Sequence, residues 1–103
     1  MSSFDFDLNS NLYPYLETMI SKLPNASKLL MHALSTKDYN KEDLSLKAGV
    51  RRGELNSAII WIESLGLVSY TIGGRQKLYS LTPLGIKAYQ EFNNIFHSLK
   101  EEE

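Results

Sequence analysis

Seven consecutive residues hold most of the hydrogen-bonding chemistry this sequence can offer in one place: residues 51 to 57 read Arg-Arg-Gly-Glu-Leu-Asn-Ser. Arginine can bond guanine through two parallel hydrogen bonds, asparagine can do the same with adenine, and glutamate can accept from cytosine. Arg51, Arg52, Glu54, Asn56 and Ser57 supply those donors and acceptors, and Gly53 lets the backbone approach a bound chain closely. A second group follows at Gly73, Gly74, Arg75, Gln76 and Lys77, where two cations and an amide sit just past a glycine pair. Such a group suits phosphate contacts or the minor groove.

Other chemistries are poorly represented. The sequence has no cysteine, so disulfides, thiolate zinc sites and cysteine nucleophiles are excluded together. His32 and His97 are the only histidines, and no pair with Asp or Glu at i, i+4 forms a plausible ligand set, so both read as surface or boundary residues. There is no phosphate-binding Gly-x-x-x-x-Gly-Lys loop, and Gly73-Gly74-Arg75 is explained by hairpin geometry. We therefore expect no catalytic residue, no metal and no cofactor, and the chain does not read as an enzyme.

The charge is small overall but unevenly placed. The 103 residues carry a net charge of −1, yet residues 28 to 79 hold eight Lys/Arg against five Asp/Glu, while both flanks are net acidic. The basic middle coincides with the two groups above. An N-terminus of MSSFDFDLNS has two aspartates and no cation ahead of an apolar stretch, unlike a signal or transit peptide, and no run approaches the roughly 20 apolar residues of a membrane span. The expected setting is intracellular, cytoplasmic and DNA-associated, with no membrane partner.

These residues must be positioned by a small set of elements. At 43% hydrophobic composition the chain is long enough for one core, and we expect a single domain over 1-103, with an arm at 1-10 and a C-terminal helix over 82-100. Apolar residues at 12, 16, 19, 20 and 23 give a first helix from about Leu12, with Pro14 in its first turn. Asn25 can cap a second helix with Leu29, Leu30, Ala33 and Leu34 as its buried stripe, and residues 35 to 40 follow as a polar loop. Asn40, with Asp43 three residues on and Tyr39 and Leu44 placed as a hydrophobic staple, starts a short third helix over about 41-48, which Gly49 ends.

A fourth helix over about 52-65 places Leu55, Ala58, Ile59, Ile62 and Leu65 on one face, and Gly66 stops it. Two β-rich runs, LVSYTI and RQKLYSL, flank Gly73-Gly74 as a hairpin. Thr82 and Pro83 then cap a last helix reaching about Lys100, striped by Tyr89, Phe92, Phe96 and Leu99.

That order resembles the winged helix-turn-helix superfamily of DNA-binding regulators. The segment LSLKAGVRRGELNSAIIWIESLGLVSY, followed by the hairpin and LYSLTPLGIKAYQ, is similar to bacterial and archaeal regulators of the multiple-antibiotic-resistance and phenolic-acid-repressor kinds over roughly residues 28 to 90. The resemblance implies an α+β winged helix with a two-stranded wing and a C-terminal dimerisation helix. It also implies double-stranded DNA as a partner, and places 51 to 57 on the recognition helix and 73 to 77 on the wing. It names no operator and leaves a small-molecule effector unknown. Two departures stand out: Arg51 occupies a position where similar proteins carry a Ser or Thr cap, and Ile60 and Trp61 stand where they often carry Lys or Arg.

The plain expectation for Ile60 and Trp61 is burial against the N-terminal helix or the wing, and the alternative is a partner surface. A last helix of roughly 25 Å with so apolar a seam suggests a homodimer. Its interface would use Leu12, Leu16, Met19, Ile20, Tyr89, Phe92, Phe96 and Leu99. The functional expectation is a sequence-specific, homodimeric, DNA-binding transcriptional regulator. A winged helix used only as a protein-interaction module is the reading from another class, favoured by the near-neutral charge, the acidic ends and the Ile60-Trp61 pair.

Overall fold

Helical periodicity, capping and two short β-rich runs organise the chain, whose computed structural model describes residues 8-96 and side chains from residue 13 onward. The side chain of Leu12, all of His97, Leu99 and Lys100, and the stretch 1-7 lie outside the described residues. The elements are α1 (Leu8–Ser21), α2 (Asn25–Leu34), β1 (Tyr39–Asn40), α3 (Lys41–Ala48), α4 (Arg52–Ser64), β2 (Val68–Gly73), β3 (Gln76–Leu81) and α5 (Pro83–Glu91). The fold is an α+β winged helix-turn-helix, with a three-stranded antiparallel sheet in the order β1-β3-β2.

The helix-turn-helix follows from local chemistry. Asn40 caps α3 by accepting the Asp43 N–H at 2.8 Å, and Gly49, with φ +71°, ends it in the left-handed geometry expected of that position. The Ser45 hydroxyl then donates to the Val50 carbonyl at 2.7 Å, closing the turn from inside. Leu55, Ala58, Ile59 and Ile62 bury the inner face of α4. Opposite them, the Ser27 hydroxyl donates to the Ala58 carbonyl at 2.9 Å, a buried bond that fixes α4 against α2.

Several boundaries differ from those the sequence suggests. α1 begins at Leu8, so Pro14 lies in its second turn and leaves the Ser10 carbonyl without a helical donor. Pro24, not Asn25, is the N-cap of α2, and it makes no side-chain cap; the fixed φ of proline already suits entry to a helix. Met31 is fully buried whereas Leu29 is only partly so, shifting the α2 stripe by part of a turn. The polar loop ends in an unforeseen strand, since Tyr39 pairs with Tyr79 and Asn40 with Leu78. A two-residue strand has no periodicity to detect.

The wing turn is displaced by one residue. Gly73 pairs with Gln76, so Gly74 and Arg75 form the turn. Gly74 alone of these has positive φ, at +65°, which is the pattern of a type II′ rather than a type I′ hairpin. Arg75 therefore stands at the very tip.

At the far end of the wing, Thr82 accepts the Gly85 N–H at 3.0 Å and donates to the Gly66 carbonyl at 2.6 Å, so one hydroxyl caps α5 and holds the end of α4. A Cβ on Gly85 would fall 2.0 Å from the Leu67 carbonyl oxygen, so only glycine allows α5 to sit this close.

The last helix is not continuous. α5 stops at Glu91, Phe92 turns the chain with φ −110° and ψ 35°, and a separate helical turn covers 93-96. On either side of the bend Phe92 and Phe96 lie in the core, where they are 3% and 1% exposed. Phe92 meets the Tyr13 ring at 5.1 Å and Phe96 meets Tyr89 at 5.0 Å. The uninterrupted seam expected from Tyr89 onward is thus replaced by an intrachain aromatic cluster. Ile60 and Trp61 show the converse correction: they are 60% and 47% exposed, not packed on the N-terminal helix or the wing. Among the described residues, no helix is long and apolar enough to cross a membrane.

Candidate nucleic-acid interface

α4 begins at Arg52 with Arg51 as its N-cap, and Arg51 contributes no side-chain cap, as its replacement of a Ser or Thr requires. Its carbonyl instead accepts the Glu54 N–H at 2.9 Å, tightening the first turn. Arg51, Arg52, Gly53, Glu54, Asn56 and Ser57 are all exposed, whereas the intervening Leu55 is 3% exposed. At about 3.6 residues per turn, Gly53, Asn56, Ser57, Ile60 and Ser64 share the line opposite the buried face. Arg52 flanks that line on one side; Glu54 and Trp61 flank it on the other.

Each flank borders a cleft. On the Arg52 side an open cleft of about 360 Å³ lies between α3, α4 and the wing, lined by Asn40, Lys41, Glu42, Arg52, Leu55, Gln76, Lys77 and Tyr79. Three cations and one carboxylate line it, so the basic character suggested by the charge distribution is concentrated at this point. Burial pushes the Tyr79 hydroxyl above its ordinary pKa, with Lys77 opposing that shift, and the phenol stays a neutral wall of the cleft. On the other side a cleft of about 410 Å³ separates α4 from the start of α2, with Glu54, Ser57 and Trp61 among its lining residues.

Side-chain bonds connect the parts of the first cleft. Lys41 Nζ donates to Asn56 Oδ1 at 2.7 Å, and Asn40 Nδ2 donates to Gln76 Oε1 at 3.1 Å. Arg52 and Glu42 are paired at 3.9 Å, both highly exposed, a contact that adds little stability in water. On the wing, Lys77 lies over the Tyr70 ring at 4.4 Å, which holds its ammonium on the sheet face shared with Tyr79. Gly73, Gly74 and Arg75 extend beyond as an exposed tip.

The structure thus brings Arg52, Gln76 and Lys77 around one cleft, ties Asn56 to it through Lys41, leaves Gly53 and Ser57 with Asn56 on the adjoining outward line, and puts Glu54 beside the second cleft, with Arg51 at the start of α4 and Arg75 at the wing tip. Asn40, Lys41 and Glu42 join them, although nothing in their spacing marks them for this role. Asn40 was legible only as a cap. The step from cap to cleft wall depends on β1 pairing with β3.

The residues expected at a dimer interface divide differently. Ile20, Phe92 and Phe96 are buried within one chain, while Leu16, Met19 and Tyr89 are half-buried. Tyr89 is also within 2.6 Å of His32 Nδ1 through its hydroxyl, linking α5 to α2. Nearby, Tyr15, Leu16, Met19, Ile20, Leu65, Leu67 and Leu84 line a mostly apolar cleft of about 330 Å³, and Tyr13, Tyr15, Leu84 and Ile86 are exposed. Among the described residues, no cluster of three or more His, Cys, Asp or Glu could hold a metal ion.

No protein-family model matches the sequence, and no curated protein does. Solved structures are similar. A transcriptional regulator of the MarR family from Silicibacter pomeroyi superimposes with a TM-score of 0.69 at 22% identity, over 92% of this chain and 70% of that one. The transcriptional repressor BigR from Xylella fastidiosa gives 0.68 at 20% identity, over 98% and 96%. BpsR of Bordetella bronchiseptica, whose DNA binding is regulated by 6-hydroxynicotinic acid, gives 0.68 at 17% identity, over 92% and 80%. The chain has the winged helix-turn-helix fold that these transcriptional regulators share.

Proposed function

We propose that this protein binds double-stranded DNA with sequence preference, as a homodimer, and regulates transcription by occupying its site. The observation that carries the reading is the outward face of α4, where Arg52, Asn56 and Ser57 stand free of bulk beside a cleft lined by Lys41, Arg52 and Lys77. A helix entering the major groove needs such a face at its N-terminal turns, and a wing beside it that can reach the backbone. Arg52, Asn56 and Ser57 read bases, while Arg51, Gly53 and Glu54 border the groove. Gly73, Gly74, Arg75, Gln76 and Lys77 meet sugar and phosphate.

Dimerisation would use α1 and α5 through Tyr13, Tyr15, Leu84 and Ile86, exposed beside the apolar cleft, with Leu16, Met19 and Tyr89 at the edge. Ile20, Phe92 and Phe96 would support that surface from beneath. A two-fold dimer calls for an inverted repeat with half-sites about 34 Å apart, or a multiple of it.

Selection from random duplex pools at two salt concentrations tests the reading, with Arg52→Ala and Asn56→Ala beside wild type. Wild type should enrich a defined site, and each variant should lose roughly 1 to 3 kcal/mol on that site and much less on scrambled duplex. No enrichment at either salt, with no binding to scrambled duplex, would favour the second reading, a protein-interaction module. The observation favouring that reading is the exposed Ile60-Trp61 pair.

A further inference from the structure

We propose that Lys41 determines base specificity by orienting the Asn56 carboxamide, so that α4 selects guanine and rejects adenine; the inference rests on α4 being the helix that reads DNA. Lys41 Nζ lies 2.7 Å from Asn56 Oδ1. An ammonium group has donors only, so the contact fixes which end of the amide faces it. Oδ1 points to Lys41, and Nδ2 with its two hydrogens points away.

Both partners stand on held backbone. Lys41 is the first residue of α3, directly after Asn40, which is tied to the Asp43 N–H and to Gln76 of the wing. Asn56 lies one turn into α4, between the buried Leu55 and Ala58. The two side chains therefore meet as a consequence of the angle between α3 and α4.

Asparagine recognises adenine by accepting from its N6 amino group through Oδ1 and donating to N7 through Nδ2. With Oδ1 engaged by Lys41, one of its two lone pairs is taken, and a positive charge sits beside the other, where the N6 hydrogens would have to approach. Guanine presents only acceptors, N7 and O6, along the same edge. They match the free Nδ2 hydrogens, and the neighbouring ammonium favours them further. The pair behaves as one donor group rather than as an asparagine beside a lysine.

The test is selection from random duplex pools by the full chain as wild type, Asn56→Ala, Lys41→Met and Lys41→Arg, each first checked for an unchanged melting transition. Lys41 is exposed, so folding should survive all of its substitutions. Asn56→Ala locates the base pair that Asn56 reads, as the position whose preference disappears. There, wild type should prefer guanine over adenine by roughly tenfold, the scale of one well-made base contact. Lys41→Met should shift that ratio toward adenine, and Lys41→Arg, which can still donate to Oδ1, should keep it.

Adenine preferred by wild type at that position would overturn the proposal. So would a guanine-to-adenine ratio unchanged in Lys41→Met while affinity falls on all sequences alike, because Lys41 would then be a phosphate contact. If wild type selects a site but Asn56→Ala alters no position, Asn56 is not a reader and the proposal falls while DNA binding stands. If wild type selects nothing, the reading of α4 fails as well.

Discussion

Two apolar pairs in this protein, Ile60-Trp61 and Phe92-Phe96, look alike as sequence and end in opposite places. The first sits late in a helix whose opposite face is already filled by Leu55, Ile59 and Ile62, and it is left in solvent. The second sits where a helix breaks, Phe92 continues the buried face of Gly85 and Ala88, and both rings lie in the core. Hydrophobicity of the residues did not distinguish them. What did was whether the backbone could aim a second apolar stripe at a space still empty, since one α-helix of ordinary length covers a core with a single face.

The contrast is sharpest if the inward pair supports folding and the outward line of α4 does not. Phe96→Ala should destabilise the chain by about 3 to 5 kcal/mol, the cost of emptying an aromatic site in a packed core. Chemical denaturation measures it, and a loss confined to a fraction of that range would mean that the 93-96 turn is not part of the core. Gly85→Ala comes next. Its methyl would collide with the Leu67 carbonyl, and the roughly 1 kcal/mol that alanine gains in a helix is outweighed by the about 1 to 3 kcal/mol of overpacking. A melting temperature that rose instead would show that α5 can slide away from Leu67.

On the outward side, effects should appear in binding rather than in stability. Arg75→Ala with Lys77→Ala should weaken affinity for every duplex and lower the salt slope by up to about one unit for each phosphate that the variant no longer neutralises. A collapse in selectivity with the slope retained would make the wing a base reader. The smallest effect is expected at the outward pair itself: Ile60→Ser and Trp61→Ser should each change folding stability by no more than about 0.5 kcal/mol. The Trp61 fluorescence of the free chain at low concentration should report a solvent-contacted indole that quenches readily. A shielded indole under those conditions would show that a second surface covers it.

The proposed dimer bears on the same comparison. With Phe92 and Phe96 inside one chain, Phe92→Ser with Phe96→Ser would unfold the protein, so it cannot report on assembly. Tyr13, Tyr15, Leu84 and Ile86 are the positions where polar substitution should separate a dimer into folded monomers, read by light scattering at micromolar concentration.

The candidate site was partly legible in advance. Residues 51 to 57 and 73 to 77 could be singled out because their side-chain types are unusual together and because each group is local, the first at the start of one helix and the second around one hairpin turn, where spacing translates directly into direction. Asn40, Lys41 and Glu42 could not. Lys41 and Asn56 are separated by a helix and a turn, and their contact exists only because the Gly49 turn sets α3 at one angle to α4. Gln76 reaches Asn40 only because β1 pairs with β3.

The sequence by itself determined the features whose causes are local. Asn40 and Thr82 are caps because their oxygens reach an N–H three residues away, Gly49 is a turn because a left-handed residue is needed there, and the 3.6-residue stripe of α4 names its inward face. Tertiary structure decided what periodicity leaves open. A stripe says which residues share a face, but not what covers that face, so it could not show that Ile60 and Trp61 remain outside while Phe92 closes onto Tyr13 of α1 and Phe96 onto Tyr89. Nor could it show the one-residue shift of the wing turn, which is set by the pairing of Gly73 with Gln76 across the sheet. Those outcomes belong to contacts between distant segments, whose geometry is fixed only when the elements pack together.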